Sequence, residues 1–88
     1  LLVTHSLGLR PGERVLVEGF DLPDAVVCAL VERIAAAGAE PFVELRSNAV
    51  LRSLVSHATE GQLAAVGAQE LARMETMDAY VGVRGSHN

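Results

Sequence analysis

The stretch that decides the fold is RVLVEGFDLPDAVVCALVERIAAAG, residues 14–38. Its first part, Arg14–Gly19, is a short β-branched run bounded by turn residues, which is typical of a strand. Asp21 can then cap a helix, and Pro23 suits a first helical turn, where a missing N–H costs nothing. The helix is predicted to run to about Gly38, which stands where a helix C-cap glycine would.

The predicted helix has two unlike sides. One side carries an apolar stripe that should face the core, formed by Val26, Val27, Leu30, Val31 and Ile34. The outer side carries Cys28 and is poor in charge; its alanines are Ala25, Ala29, Ala35 and Ala36. The high helix propensity of alanine accounts for this outer side, and contact with another domain or subunit is the alternative explanation.

A second strand and a further helix follow. Glu40–Arg46 has the pattern of a strand, with Pro41 tolerated near its beginning. Ser47 can cap the next helix. That helix should pack one face on the core, and the residues on this face are Val50, Leu51, Leu54, Val55 and Ala58.

The last third of the chain repeats the alternation of helix and strand. Thr59 and Gln62 have the spacing of a capping box, which predicts the start of another helix. Gly67 is expected to interrupt or bend that helix. Ala79–Arg84 is the third predicted strand.

The start of the chain completes the order of elements. Leu2, Val3 and Leu7 have roughly helical spacing, and Gly8 follows as a C-cap, so a short helix is predicted there. The order α, β, α, β, α, α, β implies parallel strands joined by right-handed crossovers. We therefore expect one α/β domain over residues 1–88, Rossmann-like or flavodoxin-like, with a short parallel sheet of about three strands flanked by helices.

The carboxyl ends of the strands are the candidate site, because ligands of open parallel sheets bind there. Three loops should share this edge: residues 19–21, 46–48 and 84–87. The side chains that we expect at an interdomain or channel edge are Asp21, Arg46, Asn48, Arg84, Ser86 and His87.

The motifs of several enzyme classes are missing from the sequence. Gly19 stands alone after the first strand, and the chain has no lysine, so neither a dinucleotide fingerprint nor a phosphate loop is present. His5, His57 and His87 lack the spacing of a zinc site. We therefore assign no catalytic, cofactor-binding or metal-binding residue within these 88 residues.

Charge and hydropathy limit the partners. The net charge is −4 and all seven basic residues are scattered arginines, so nucleic acid is not expected as a partner. The longest apolar run, residues 25–31, is far shorter than the ~20 residues that cross a membrane. One cysteine cannot form an internal disulfide, which favours a reducing, cytoplasmic location.

Four stretches of the chain resemble a known family. They are LVxxSLxLRPGERVLV (residues 2–17), AAGAEP (36–41), ATEGQL (58–63) leading into ELA (70–72), and MDAYVGVRG (77–85). In this order they resemble the N-terminal domain of the thermophilic-type metalloaminopeptidases, the aminopeptidase T, aminopeptidase S and leucyl aminopeptidase group. Each stretch is a structural signature, and none is catalytic.

The resemblance implies a metal-dependent enzyme that removes N-terminal amino acids from peptides. In that family a C-terminal domain binds two divalent ions (zinc, cobalt or magnesium) through Glu, His, Asp and Tyr ligands, and none of these ligands falls on a position of this chain. We therefore expect a longer protein whose catalytic domain follows residue 88, and an 88-residue fragment that is itself inactive. Its partners would be its own catalytic domain, the peptide substrate of the parent enzyme and a second copy in a homodimer.

A stand-alone regulatory or small-molecule-binding domain of the flavodoxin-like kind is the alternative. A receiver domain would show an acidic pair after the first strand and a lysine. Glu18 and Asp21 imitate the pair weakly, and the lysine is absent. A nucleotide or cofactor domain of another enzyme is disfavoured by the missing glycines.

Overall fold

The computed structural model describes residues 8–85. The helix predicted for residues 2–7 lies outside this range. The six elements within it follow the predicted order: strand β1 Arg14–Phe20, helix α1 Asp24–Ala36, strand β2 Glu40–Arg46, helix α2 Asn48–His57, helix α3 Glu60–Met74 and strand β3 Ala79–Arg84.

The three strands form one parallel sheet in the order β2-β1-β3, which confirms the α/β fold. Alternate residues of the central strand β1 face opposite sides of this sheet. Val15 and Val17 pack with α1 residues in the core, whereas Glu18 faces the side on which α3 lies. The sheet therefore has helices on both faces.

The cluster of buried hydrophobic residues lies on the α1 side of the sheet, and Leu16 and Phe20 are buried on the opposite face. Val15, Val17 and Ile34 are fully buried, and they form one cluster with Leu30, Ala39 and Val81. The stripe predicted on α1 is confirmed at Val27, Leu30 and Ile34. It is narrower than predicted, because Val26 is 37% exposed.

The two ends of α1 differ from each other. Gly38 closes the carboxyl end as predicted: it has a φ of 84°, and its N–H donates to the Ala35 carbonyl at 2.9 Å. The N–H of Ala39 donates to the Ile34 carbonyl at 3.2 Å, which completes a Schellman motif. The prediction that Asp21 caps the amino end was wrong. Pro23 holds the N-cap position and makes no side-chain capping bond, and the Asp21 carboxylate accepts a hydrogen bond from the N–H of Asn48 instead.

Helices α2 and α3 begin where the sequence predicts. The Ser47 hydroxyl accepts from the N–H of Val50 at 3.3 Å, and the Thr59 hydroxyl accepts from the N–H of Gln62 at 3.0 Å. Helix α3 continues through Gly67 without interruption. Neither helix buries a residue, so the apolar face predicted for α2 does not enter the core.

Within residues 8–85, no helix is both long enough and apolar enough to cross a membrane.

Ile34→Ala is expected to lower the free energy of unfolding by about 2–5 kcal/mol, because Ile34 is fully buried between α1 and the sheet and its truncation leaves a cavity. Chemical denaturation measures this change. Val50→Ala, at a position that is 66% exposed, serves as the control and should change stability by less than about 0.5 kcal/mol. Equal effects of the two substitutions would contradict the assignment of the core to the α1 side.

Candidate functional site at the carboxyl edge of the sheet

The three predicted strand-end loops meet at one edge. The N–H of Asp21, after β1, donates to the carbonyl of Arg46 at the end of β2, at 3.0 Å. The N–H of Gly85, after β3, donates to the carbonyl of Phe20 at 2.7 Å. These bonds extend the pairing of the parallel strands into the loops. Backbone hydrogen bonds therefore fix the positions of the three strand ends relative to one another.

Asn48 joins the side chains of this edge. Its backbone N–H, in the first turn of α2, donates to Oδ2 of Asp21 at 3.1 Å. Its side-chain Oδ1 accepts from Nη1 of Arg84 at 3.3 Å. Asp21 thus supports the amino end of α2 instead of α1, and it does so from a left-handed conformation with a φ of 57°.

Arg84 lies at the rim of this cluster. Its guanidinium is 4.3 Å from the centre of the Phe20 ring, a distance typical of a cation–π contact. Of the six predicted edge residues, Asp21, Asn48 and Arg84 are therefore brought together. Ser86 and His87 lie outside the described residues, and the side chain of Arg46 makes different contacts.

Arg46 belongs to a network around Glu18 that sequence reasoning missed. Its Nε donates to Oε2 of Glu18 at 2.5 Å, and its Nη2 donates to Oε2 of Glu70 at 2.8 Å. The hydroxyl of Tyr80 donates to the other Glu18 oxygen, Oε1, at 2.6 Å. The side chains of Glu18 and Arg46 are only 14% and 18% exposed, so water screens their ion pair weakly.

A second ion pair lies beside the first. Nη1 of Arg73, from α3, donates to Oε2 of Glu44, from β2. Nε of Arg73 is buried without a hydrogen-bond partner in the described part of the chain. Helix α3 thus forms ion pairs with the sheet through Glu70 and Arg73, and none of its residues is buried.

The network changes the pKa values of its members. Burial is the largest single effect on the Glu18 carboxyl and raises its pKa, but the hydrogen bonds from Tyr80 and Arg46 and the nearby arginine charges together bring it below the ordinary value of 4.5. The hydrogen bond to Glu18 is the main cause that raises the pKa of Tyr80 above 10.0. Glu18 therefore stays ionised and Tyr80 stays protonated near neutral pH.

A signal for this network was present in the sequence of β2. Glu40, Glu44 and Arg46 alternate with apolar residues, a pattern that places charges on one face of a strand. In the parallel register Glu18 stands opposite Glu44, an arrangement of like charges that is unfavourable unless cations lie between. The pattern indicates a polar face, but the partners on α3 depend on the tertiary fold.

An open cavity of about 350 Å³ lies against this edge. Its charged lining comes from Glu18, Arg46, Glu70 and Arg84, and Phe20 and Leu51 add apolar surface. Both carboxylates accept hydrogen bonds from Arg46, so the cavity presents ion-paired groups. No cluster of three or more potential metal ligands occurs among residues 8–85.

Comparison with protein-family models, curated proteins and solved structures finds no match for this chain.

Glu18→Gln is expected to lower the free energy of unfolding at pH 7 by about 1.5–3 kcal/mol, the usual contribution of a hydrogen bond to a charged group. Because folding lowers the pKa of Glu18, its stabilisation is present above pH 4.5 and is lost as the pH falls through the folded-state pKa. The difference between wild type and variant should therefore shrink in acid. Denaturation curves from pH 7 to acid measure it.

Glu32→Gln is the matched control for that series, because Glu32 is an exposed residue of α1. It should change stability by less than about 0.5 kcal/mol at every pH. The ion pair between Glu18 and Arg46 would be contradicted if Glu18→Gln changed the free energy of unfolding as little as Glu32→Gln does. It would also be contradicted if the change caused by Glu18→Gln grew as the pH falls.

Gly85→Ala is expected to destabilise the edge by about 1–3 kcal/mol, because a Cβ at this position would collide with the carbonyl oxygen of Asp21. Thermal unfolding measures the loss. Gly67→Ala is the control: open space surrounds Gly67, and alanine in a helix should stabilise by about 0.5–1 kcal/mol. A Gly85→Ala variant that is as stable as wild type would show that the loops after β1 and β3 do not approach each other this closely.

Proposed function

We propose that this chain is the non-catalytic N-terminal α/β domain of a metal-dependent aminopeptidase, an enzyme that removes N-terminal amino acids from peptides. The four sequence stretches described above suggest the family. The observation that carries the proposal is the exposure of apolar side chains on helices α2 and α3. Val50, Val55 and Leu71 are 66%, 59% and 62% exposed.

These two helices need a surface to pack on. A helix in a protein is stabilised mostly by burial of its apolar face, yet α2 and α3 bury no residue within the domain. We infer that the apolar side chains exposed on these two helices contact another protein surface. The catalytic domain of the same chain is the partner that the family resemblance supplies.

The carboxyl edge would then form one wall of the entrance to the catalytic cavity. Asp21, Asn48 and Arg84 are linked by hydrogen bonds, and so provide a rim of defined shape. The position of Arg84 at this rim supports its contact with that domain or with the peptide, and the proposal extends this role to Ser86 and His87 because they follow Arg84 in the sequence.

The chemistry would belong to the catalytic domain. When bound there, two divalent ions, zinc, cobalt or magnesium, lower the pKa of a water molecule and polarise the scissile carbonyl group. The present domain would position that site and limit access to it. The proposal includes a cytoplasmic location and a homodimeric parent enzyme.

The cavity beside Arg46 and Arg84 favours a second candidate, a stand-alone regulatory or small-molecule-binding domain. Its volume of about 350 Å³ lies within the range of small-ligand pockets. This candidate needs no further domain. It would be preferred if the reading frame of the source gene ends near residue 88.

We expect the complete reading frame to encode a further ~300 residues with two Glu, two His, an Asp and a Tyr that can form a two-metal site. The purified full-length protein should hydrolyse a leucyl chromogenic substrate, and a chelator should abolish this activity. The 88-residue chain should show no turnover. A stop codon near residue 88, or chelator-sensitive hydrolysis by the fragment alone, would contradict the proposal.

Contacts of the edge are tested in the same full-length enzyme. The double variant Arg84→Ala, His87→Ala should change kcat/KM or thermal stability, because it removes Arg84 from the rim and also removes His87, which the sequence predicts at the same edge. Arg33→Ala, at an exposed position in the last turn of α1, should change neither. Unchanged kinetics and stability in the double variant would refute a role of the edge in the entrance.

A further inference from the structure

Helix α1 has an apolar groove along one of its sides. The volume of the groove is about 340 Å³, and its lining is apolar apart from one arginine: Ala25, Val26, Ala29, Leu30 and Arg33. Leu30 belongs to the buried core cluster, whereas Val26 is 37% exposed. A helix is stabilised by burial of its apolar side, yet within residues 8–85 this side of α1 stays open.

The groove lies on the side of α1 that faces strand β3. Helix α1 connects β1 to β2 and packs on both strands, and such crossovers are right-handed. At 3.6 residues per turn, this handedness turns Val26 and Arg33 toward β3, which flanks β1 on its other side. Ala79 and Val83 of β3 pack against the core cluster but are only partly buried. The open apolar surface therefore continues from α1 onto β3.

The chain enters the fold beside this surface. Leu9 packs against the same core cluster as Ala79 and Val83. Gly8, just before it, has a φ of 58°, the left-handed conformation that typically follows the last turn of a helix. The Cα of Leu7 lies within about 7 Å of the Cα of Leu9, because only two residue steps separate them.

We propose that residues 1–7 dock as a helix in this groove, beside α1 and over β3. Leu2, Val3 and Leu7 have roughly helical spacing and would supply the apolar side chains that fill it. A helix of seven residues is about 10 Å long, and the part of α1 from Ala25 to Arg33 is about 12 Å long, so the two match in length. The inference rests on the groove and on the entry of the chain, and does not depend on the aminopeptidase proposal.

The groove favours this segment over a separate partner. The segment is joined directly to Gly8, so its docking is intramolecular and proceeds at a high effective concentration. It carries no acidic or basic side chain other than His5, so no carboxylate loses its hydration on docking. Arg33 is exposed, and a long side chain of this kind can cover apolar surface while its guanidinium remains in water.

Thiol labelling tests the docking. The protein is expressed from its complete reading frame with Val26→Cys in a Cys28→Ser background, and labelling at position 26 is followed by mass spectrometry of the peptide that contains it. Adding Leu7→Asp should raise the labelling rate about tenfold, because a groove that is open one-tenth of the time reacts at one-tenth of the full rate. The new carboxylate is too costly to bury in an apolar groove.

Two controls separate docking from general effects. The natural Cys28 is exposed and lies on a different side of α1, so its labelling rate should be the same with and without Leu7→Asp. His5→Asp introduces the same carboxylate on the opposite side of the predicted helix. It should leave position 26 protected.

Three results would overturn the proposal. Equal labelling of position 26 with and without Leu7→Asp would show that the segment does not cover the groove, and that the groove is either open or covered by another domain. Protection that disappears on dilution would assign the groove to a second copy of the chain. Equal effects of His5→Asp and Leu7→Asp would exclude docking through the predicted apolar face.

If Leu7→Asp fails to fold, Leu7→Ala takes its place, and this smaller change must still raise the labelling rate at position 26. The labelling experiment involves no peptide hydrolysis and no metal. Failure of the docking proposal is therefore distinguishable from failure of the aminopeptidase proposal.

Discussion

The carboxylate of Glu18 connects most of the parts of this fold. It lies in the central strand, accepts from Arg46 of β2 and from Tyr80 of β3, and is tied through Arg46 to Glu70 of helix α3. One charged group thus links all three strands and one helix. Since its side chain is only 14% exposed, removal of its partners would leave a poorly solvated charge, and the surrounding arrangement depends on keeping them.

This constraint gives the two faces of the sheet different characters. The α1 face is held by apolar packing among Val15, Val17 and Ile34, which has no directional requirement. The α3 face also buries Leu16 and Phe20, but it carries in addition hydrogen bonds between charged groups, which require specific geometry. Helix α3 contacts the sheet through Glu70 and Arg73, whereas apolar residues of α2 and α3 stay exposed. This exposure is the basis of the functional proposal.

The sequence predicts the local elements well because their signals are local. The alternation of strand and helix, the glycine at 38 and the hydroxyl caps at Ser47 and Thr59 depend on residues within a few positions of each other. The same reasoning failed at Asp21, whose acceptor is used by the N–H of Asn48 in a distant part of the chain. It failed again for the α2 face, where an apolar stripe indicates burial without showing what buries it.

What the sequence by itself determined was the order of the elements, the parallel sheet and the meeting of the strand ends at one edge. These follow from chain connectivity and short-range stereochemistry. Only the tertiary structure decided that Arg46 faces Glu18 rather than the rim and that Asp21 supports α2. Those outcomes depend on which side chains from separate elements come within hydrogen-bond distance, and strand register and helix placement set that distance.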